Sequence, residues 1–160
     1  MALEQAIELE ELQTVIPHRG KMMLLSRVLE YDSAGMVRAE YDIAERCIFY
    51  DPAIQCVPSW AGFECIAQAI SAFSGIRDRE KNIKPKIGFI LSIPFMRINI
   101  PFFKLGSVLD IHVRQIDRTG QVFTFDGEIF LEGVKAMEGK MMVMEIDNEQ
   151  EFLNMYKECG

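Results

Sequence analysis

With 160 residues, 49% of them hydrophobic and 26% charged, the chain is too apolar to stay disordered and long enough to bury its own core, so a single domain over residues 1–160 is expected. A formal net charge of −7 argues against a nucleic-acid partner. No apolar run approaches bilayer length, and the acidic Met1-Ala2-Leu3-Glu4-Gln5 has no basic n-region. Neither a membrane span nor a secretory signal is expected, and the cytoplasm is the expected compartment.

Cys47, Cys56, Cys65 and Cys159 show no CxxC spacing, and only two histidines exist to join them. Reduced thiols are expected, with no metal site and no cofactor. Ten methionines offer adaptable apolar surface, for core packing or for an acyl-binding groove.

In chain order, Ile7, Leu9, Leu12, Val15 and Ile16 predict a short amphipathic helix over 7–15. Pro17 ends it, and Pro17-His18-Arg19-Gly20 reads as a turn. Residues 22–31 read as a strand, Asp32-Ser33-Ala34-Gly35 as a hairpin turn and 36–43 as the returning strand, with Val37, Ala39, Tyr41 and Ile43 on one face. An irregular loop follows over 44–57, with Tyr50, Asp51 and Pro52 inside it.

Ser59 is then placed to cap a helix and Gly75 to stop it. Between them Trp60, Phe63, Ile66, Ala67, Ala69, Ile70, Ala72 and Phe73 leave no polar side, as in a buried helix. The exception is one stripe, Glu64, Gln68 and Ser71, at i, i+4 and i+7. A carboxylate buried there must be paired, protonated or used.

Residues 77–86 read as a hydrophilic connection carrying Arg77, Arg79, Lys81, Lys84 and Lys86, a basic patch or simply a solvated loop. Residues 87–100 form a long apolar run broken by Pro94, which fits an edge strand or a bulge. Three alternating segments, 107–116, 121–131 and 135–146, read as strands joined by tight turns, and 148–156 as a terminal helix. Two strands, one buried helix and about four more strands predict an α+β architecture. A lone long helix buries its circumference when a curved antiparallel sheet wraps it, the arrangement called the hotdog fold.

Val15-Ile16-Pro17-His18-Arg19 with the following Met22 to Glu30 stretch, Phe63-Glu64-Cys65-Ile66-Ala67-Gln68, and Leu131-Glu132-Gly133-Val134-Lys135 together resemble bacterial 3-hydroxyacyl-acyl-carrier-protein dehydratases of the FabZ/FabA type. Among these, the resemblance is nearest to the stand-alone dehydratase-like proteins of aryl-polyene-type clusters. It implies dehydration of a 3-hydroxyacyl thioester to the trans-2-enoyl thioester. It also implies acyl carrier protein or another acyl thioester as the partner, and a homodimer or larger assembly with the acyl tunnel between subunits. In such a dimer Glu64 of one subunit would face Tyr50 and His18 of the other.

Elimination of water takes a proton from C2 and gives one to the leaving hydroxyl. In FabZ-type enzymes a loop histidine is the base and the helix glutamate the acid; Glu64, with burial raising its pKa, suits the acid. The loop histidine's position falls on Tyr50 here, in Phe49-Tyr50-Asp51-Pro52. A phenol is a poor base at neutral pH, so Tyr50 is read as a hydrogen-bond donor to substrate. His18 is the candidate base, because imidazole is the side chain whose ordinary range suits proton transfer near neutrality, although the same Pro-His-Arg is structural in the FabZ type. His112, mid-strand on a polar face, reads as solvent-facing. The resemblance also implies that the helix-start backbone, here Ser59, Trp60 and Gly62, receives the thioester carbonyl, as free amides at a helix start can, and Gln68 is expected to contact substrate. A thioesterase that activates water with Glu64 alone, a non-catalytic carrier-binding partner and an unrelated binding module remain alternatives.

Overall fold

Alternation of apolar and polar residues builds the sheet, and the helix lies in its hollow. The computed structural model describes residues 6–158, apart from the side chains of Glu149 and Met155; the expectations for residues 1–5 and for Cys159 lie outside the described residues. In chain order the elements are β1 (Ile7–Glu8), α1 (Leu9–Val15), β2 (Arg27–Tyr31), β3 (Met36–Asp42), β4 (Cys56–Pro58), α2 (Gly62–Glu80), β5 (Ile87–Ile98), β6 (Phe102–Lys104), β7 (Val108–Thr119), β8 (Val122–Leu131), β9 (Val134–Ile146) and α3 (Glu149–Glu158). Seven strands pair antiparallel in the order β1-β2-β3-β7-β8-β9-β5, while β4 and β6 form a separate ribbon.

One cross-strand row, Ala39–Ile111–Ile129–Met137, shows how the period of two works. All four are buried, and α2 lies against the concave face they line. Along α2, Ile66, Ala69, Ile70, Phe73 and Ile76 are buried. Two glycines set how closely the helix is gripped. A Cβ at Gly127 of β8 would lie 2.5 Å from Ile66, and one at Gly75 would lie 1.8 Å from the Val15 carbonyl oxygen. A side chain at Gly75 would have to push the Val15 backbone away, and one at Gly127 would have to displace the Ile66 side chain.

Gly75 is therefore not a stop but a seat for α1, and α2 runs five residues further to Glu80. The first residues of the expected hydrophilic connection, 77–80, belong to that helix, and Asp78 among them is buried. Nor is Ser59 a cap. Its hydroxyl donates to the Ile100 carbonyl and its amide to Pro101 (3.0 Å), because β4–β6 pairing brings that segment alongside. The helix opens instead through a 3₁₀ turn, Ser59–Ala61. Trp60, in that turn, is 56% exposed rather than buried.

The strand expected from residue 22 starts only at Arg27. Gln68 explains the delay: its side chain accepts from the Leu24 amide (2.9 Å) and donates to the Met22 carbonyl (2.7 Å). Those groups are thus spent on the helix rather than on a sheet neighbour. The run 87–100 is an edge strand as expected, with register breaks on either side of Ser92 next to Pro94. Its Ile90, Leu91, Ile93, Phe95 and Ile98 are exposed. Among the described residues, no helix is long and apolar enough to cross a membrane.

Candidate active site

Two anchors on α2 hold the segment that carries His18. Upstream, α1 seats its Val15 carbonyl on Gly75. Downstream, Gln68 clamps Met22 and Leu24. Pro17-His18-Arg19 spans the gap, stiffened by Arg19, which donates to the Ile16 carbonyl (2.6 Å). His18 Nε2 thereby comes within 3.3 Å of Glu64 Oε1. That oxygen also accepts from Gln68 Nε2 at 3.0 Å. The two side chains meet within one chain.

Both partners stay in touch with solvent, His18 with 27% and Glu64 with 24% of the side chain exposed. Glu64 is therefore not a carboxylate sealed in the core. His18 Nδ1 is buried and meets no hydrogen-bond partner among the described residues. Gln68, fully buried, spends its amide on Met22, Leu24 and Glu64. It positions Glu64.

Next to the pair a groove of about 550 Å³ runs along α2. Its floor is the stripe Glu64, Ala67, Ser71, Ser74 and Asp78, at helical spacing of three and four. Its walls are the 14–19 segment and the start of β5. The volume is that of a site for a small organic ligand. At its far end Arg77 donates to Glu145 (2.8 Å) and Asp78 (3.0 Å), while Ser74 donates to Glu145 (2.6 Å). Burial pulls the Arg77 guanidinium down, but Glu145 and Asp78 more than offset it and hold the group above its ordinary range. The stripe expected to end at Ser71 continues, because the helix does; stopping α2 at Gly75 hid Asp78, and nothing local in the sequence marked Glu145 as its neighbour.

The remaining candidates lie elsewhere. Tyr50 lines a different hollow with Lys21, Glu45 and Cys47. Desolvation first, then the nearby Glu45, pushes its phenol above the ordinary value, away from service as a base. Trp60 meets Phe49 edge-on at 5.3 Å and does not line the groove. The amides of Ser59 and Gly62 already donate within the fold, so a thioester carbonyl there would have to share them. Gly62 has a packing reason as well: a Cβ would lie 2.7 Å from Ile129. His112 sits on the outer face, 2.9 Å from Asp110, as its strand position implied. Of the basic patch, Arg77 is tied into the buried cluster, Arg79 pairs with Glu11 and Lys86 with Asp147, while Lys81 and Lys84 are exposed. Among the described residues, no group of three or more His, Cys, Asp or Glu side chains converges to hold a metal ion.

A FabZ 3-hydroxyacyl-acyl-carrier-protein dehydratase from Nitratiruptor sp. is 23% identical over 147 residues, 88% of this chain and 99% of that protein. One from Campylobacter curvus is 25% identical with the same coverage. Among solved structures, the dehydratase heterocomplex ApeI:P from Xenorhabdus doucetiae superposes with a TM-score of 0.82 at 25% identity, over 91% of this chain and 96% of that one. A hypothetical thioesterase with coenzyme A from Streptococcus pneumoniae superposes with a TM-score of 0.56 at 12% identity, over 72% of this chain and 81% of that one, and speaks for the fold alone. The family model for ApeP-like proteins, the ApeP dehydratases, matches residues 10–154. The chain belongs to the ApeP-like dehydratase family.

Proposed function

We propose that this protein removes water from a 3-hydroxyacyl thioester carried by acyl carrier protein, giving the trans-2-enoyl thioester, with His18 as base and Glu64 as acid. The observation that carries the reading is the 3.3 Å approach of His18 Nε2 to Glu64 Oε1 at the head of the groove. Neutral His18 takes the C2 proton through Nε2 as the C2–C3 double bond forms. Glu64 gives its proton to the C3 hydroxyl, which departs as water. The pair ends as imidazolium and carboxylate, still carrying one proton, and transfer back across their short separation restores the starting state. Gln68 holds Glu64 in place throughout. Because His18 supplies the base in the same chain, replacement of the loop histidine by Tyr50 does not remove the two-group chemistry.

The acyl tail lies in the groove, and the working unit is a homodimer or larger assembly. Edge strand β5, with its exposed apolar side chains, supports that reading, since such an edge is a template for pairing. The relative from Xenorhabdus doucetiae was solved as a heterocomplex. A monomer by light scattering at micromolar concentration would remove the assembly from the proposal. Incubation with a 3-hydroxyacyl thioester of acyl carrier protein, read by mass spectrometry, tests the reaction. Loss of one water is expected; loss of the acyl group would make the protein a thioesterase, and an unchanged substrate would make it a binding partner only.

A further inference from the structure

Resting on that reading, we propose that the Arg77–Asp78–Glu145 cluster is the end wall of the acyl groove and limits how long an apolar tail the enzyme accepts. The groove has two polar ends and an apolar middle. At the head stand His18 and Glu64; between the ends lie Ala67, Ile70, Ile87, Ile90 and Val143; at the foot stand Ser74, Asp78 and Glu145.

The foot is a closed network. Both Glu145 oxygens are engaged, one by Ser74 and one by Arg77. Asp78 accepts from Arg77 on one oxygen and from the Lys86 amide on the other (3.3 Å). The guanidinium also sits over Phe73 and Phe123, 5.7 and 5.5 Å from the ring centroids. A methylene pushed into this network must displace a buried charge from its partners, which is far less favourable than the burial it gains.

Position along α2 sets the scale. Glu64 and Ser74 are ten residues apart, about 15 Å of helix at 1.5 Å per residue. Van der Waals contact with the wall takes up about 4 Å of this. An extended chain advances roughly 1.2 Å per bond. A straight tail whose C3 lies at Glu64 therefore meets the wall near the twelfth carbon, by this order-of-magnitude count. Up to that point each added methylene improves kcat/KM by roughly threefold to fourfold, the worth of burying one CH₂.

The test measures kcat/KM for straight-chain 3-hydroxyacyl thioesters of acyl carrier protein from four to eighteen carbons. Wild type should climb to about twelve carbons and then drop by about tenfold or more at sixteen. Arg77→Met/Asp78→Asn/Glu145→Met replaces the ion pairs with uncharged groups of similar size, an exchange that buried pairs often tolerate. It should raise the sixteen-to-twelve ratio by about tenfold. Ser71→Phe, which breaks no hydrogen bond described at Ser71, should lower the twelve-to-four ratio by a similar factor by filling the middle of the groove. A wild-type profile still rising at eighteen carbons, a folded triple variant with unchanged ratios, or a Ser71→Phe protein with the wild-type profile would each overturn the end-wall assignment. The control Glu64→Gln separates the two proposals. If it is inactive on every length while the groove variants behave as wild type, only the end wall falls; if it is fully active, the dehydratase reading falls and the end wall with it.

Discussion

The two polar ends of the groove are built from the same material and do opposite things. Each places a carboxylate of α2 beside a basic side chain, Glu64 beside His18 and Asp78 beside Arg77. At the foot the base is a permanent cation, every carboxylate oxygen is engaged, and only 17% of the Arg77 side chain is exposed. At the head the base is an imidazole, its second nitrogen meets no hydrogen-bond partner among the described residues, and solvent reaches both groups. A saturated cluster stores no proton to give away. An under-partnered pair does, and it is the end where chemistry belongs.

The largest effect should come from unbalancing the foot. Arg77→Ala leaves Asp78 and Glu145 buried without their cation, and truncating one partner of such a set costs about 3–5 kcal/mol. Thermal or urea unfolding should show it. Arg77→Met/Asp78→Asn/Glu145→Met should recover most of that loss, since all three charges go together. An Arg77→Ala protein as stable as wild type would mean that the foot is wet and held loosely, erasing the contrast.

At the head the same operation should spare stability and remove turnover. Glu64→Gln keeps size and most hydrogen bonding but takes away the acid, so kcat should fall by about a hundredfold or more, equivalent to roughly 2.7 kcal/mol of barrier. His18→Ala breaks only the contact with Glu64 among those described, and its melting curve should stay within about 0.5 kcal/mol of wild type while turnover drops comparably. The double variant should be little worse than either alone, as expected of groups acting as a unit. Loss in Glu64→Gln with full activity in His18→Ala would shift the mechanism to water activation by one carboxylate.

Much of this contrast was legible before the structure. The wrap of sheet around helix follows from periods of two on either side of a run with no polar face, and Glu64 was visible as the carboxylate breaking that run. What stayed hidden depended on tertiary contact. Gly75 looks like a helix stop, because close approach of a carbonyl to a Cα leaves the same residue behind as a left-handed cap does. Ser59 looks like a cap, but its hydroxyl was claimed by the Ile100 carbonyl in the link between β5 and β6. Glu145 looks like a strand residue with no site nearby, since only the sheet's curl brings it to α2. Single-chain pairing of His18 with Glu64 escaped notice for a related reason: it depends on Gln68 pulling the 22–24 backbone onto the helix.

Gly75 also offers the finest probe of the comparison, because it sits between the two ends and serves one of them. Its missing side chain lets the Val15 carbonyl touch the helix, and His18 follows Val15 by three residues. Gly75→Ala gains helix propensity, roughly 1 kcal/mol in isolation. Against that, the new methyl would sit 1.8 Å from a backbone oxygen, so α1 must lift; overpacking of this kind typically costs about 1–3 kcal/mol. The contact wins on size, and a net loss of stability of at most about 2 kcal/mol is expected from these opposing effects. The foot, held by side-chain ion pairs that do not involve α1, should keep its chain-length profile. The head should not: with α1 displaced, His18 drifts from Glu64 and kcat falls while KM for a twelve-carbon substrate changes little. A Gly75→Ala protein that loses length discrimination but keeps kcat would show that α1 supports the foot instead, and that His18 is held by Gln68 alone.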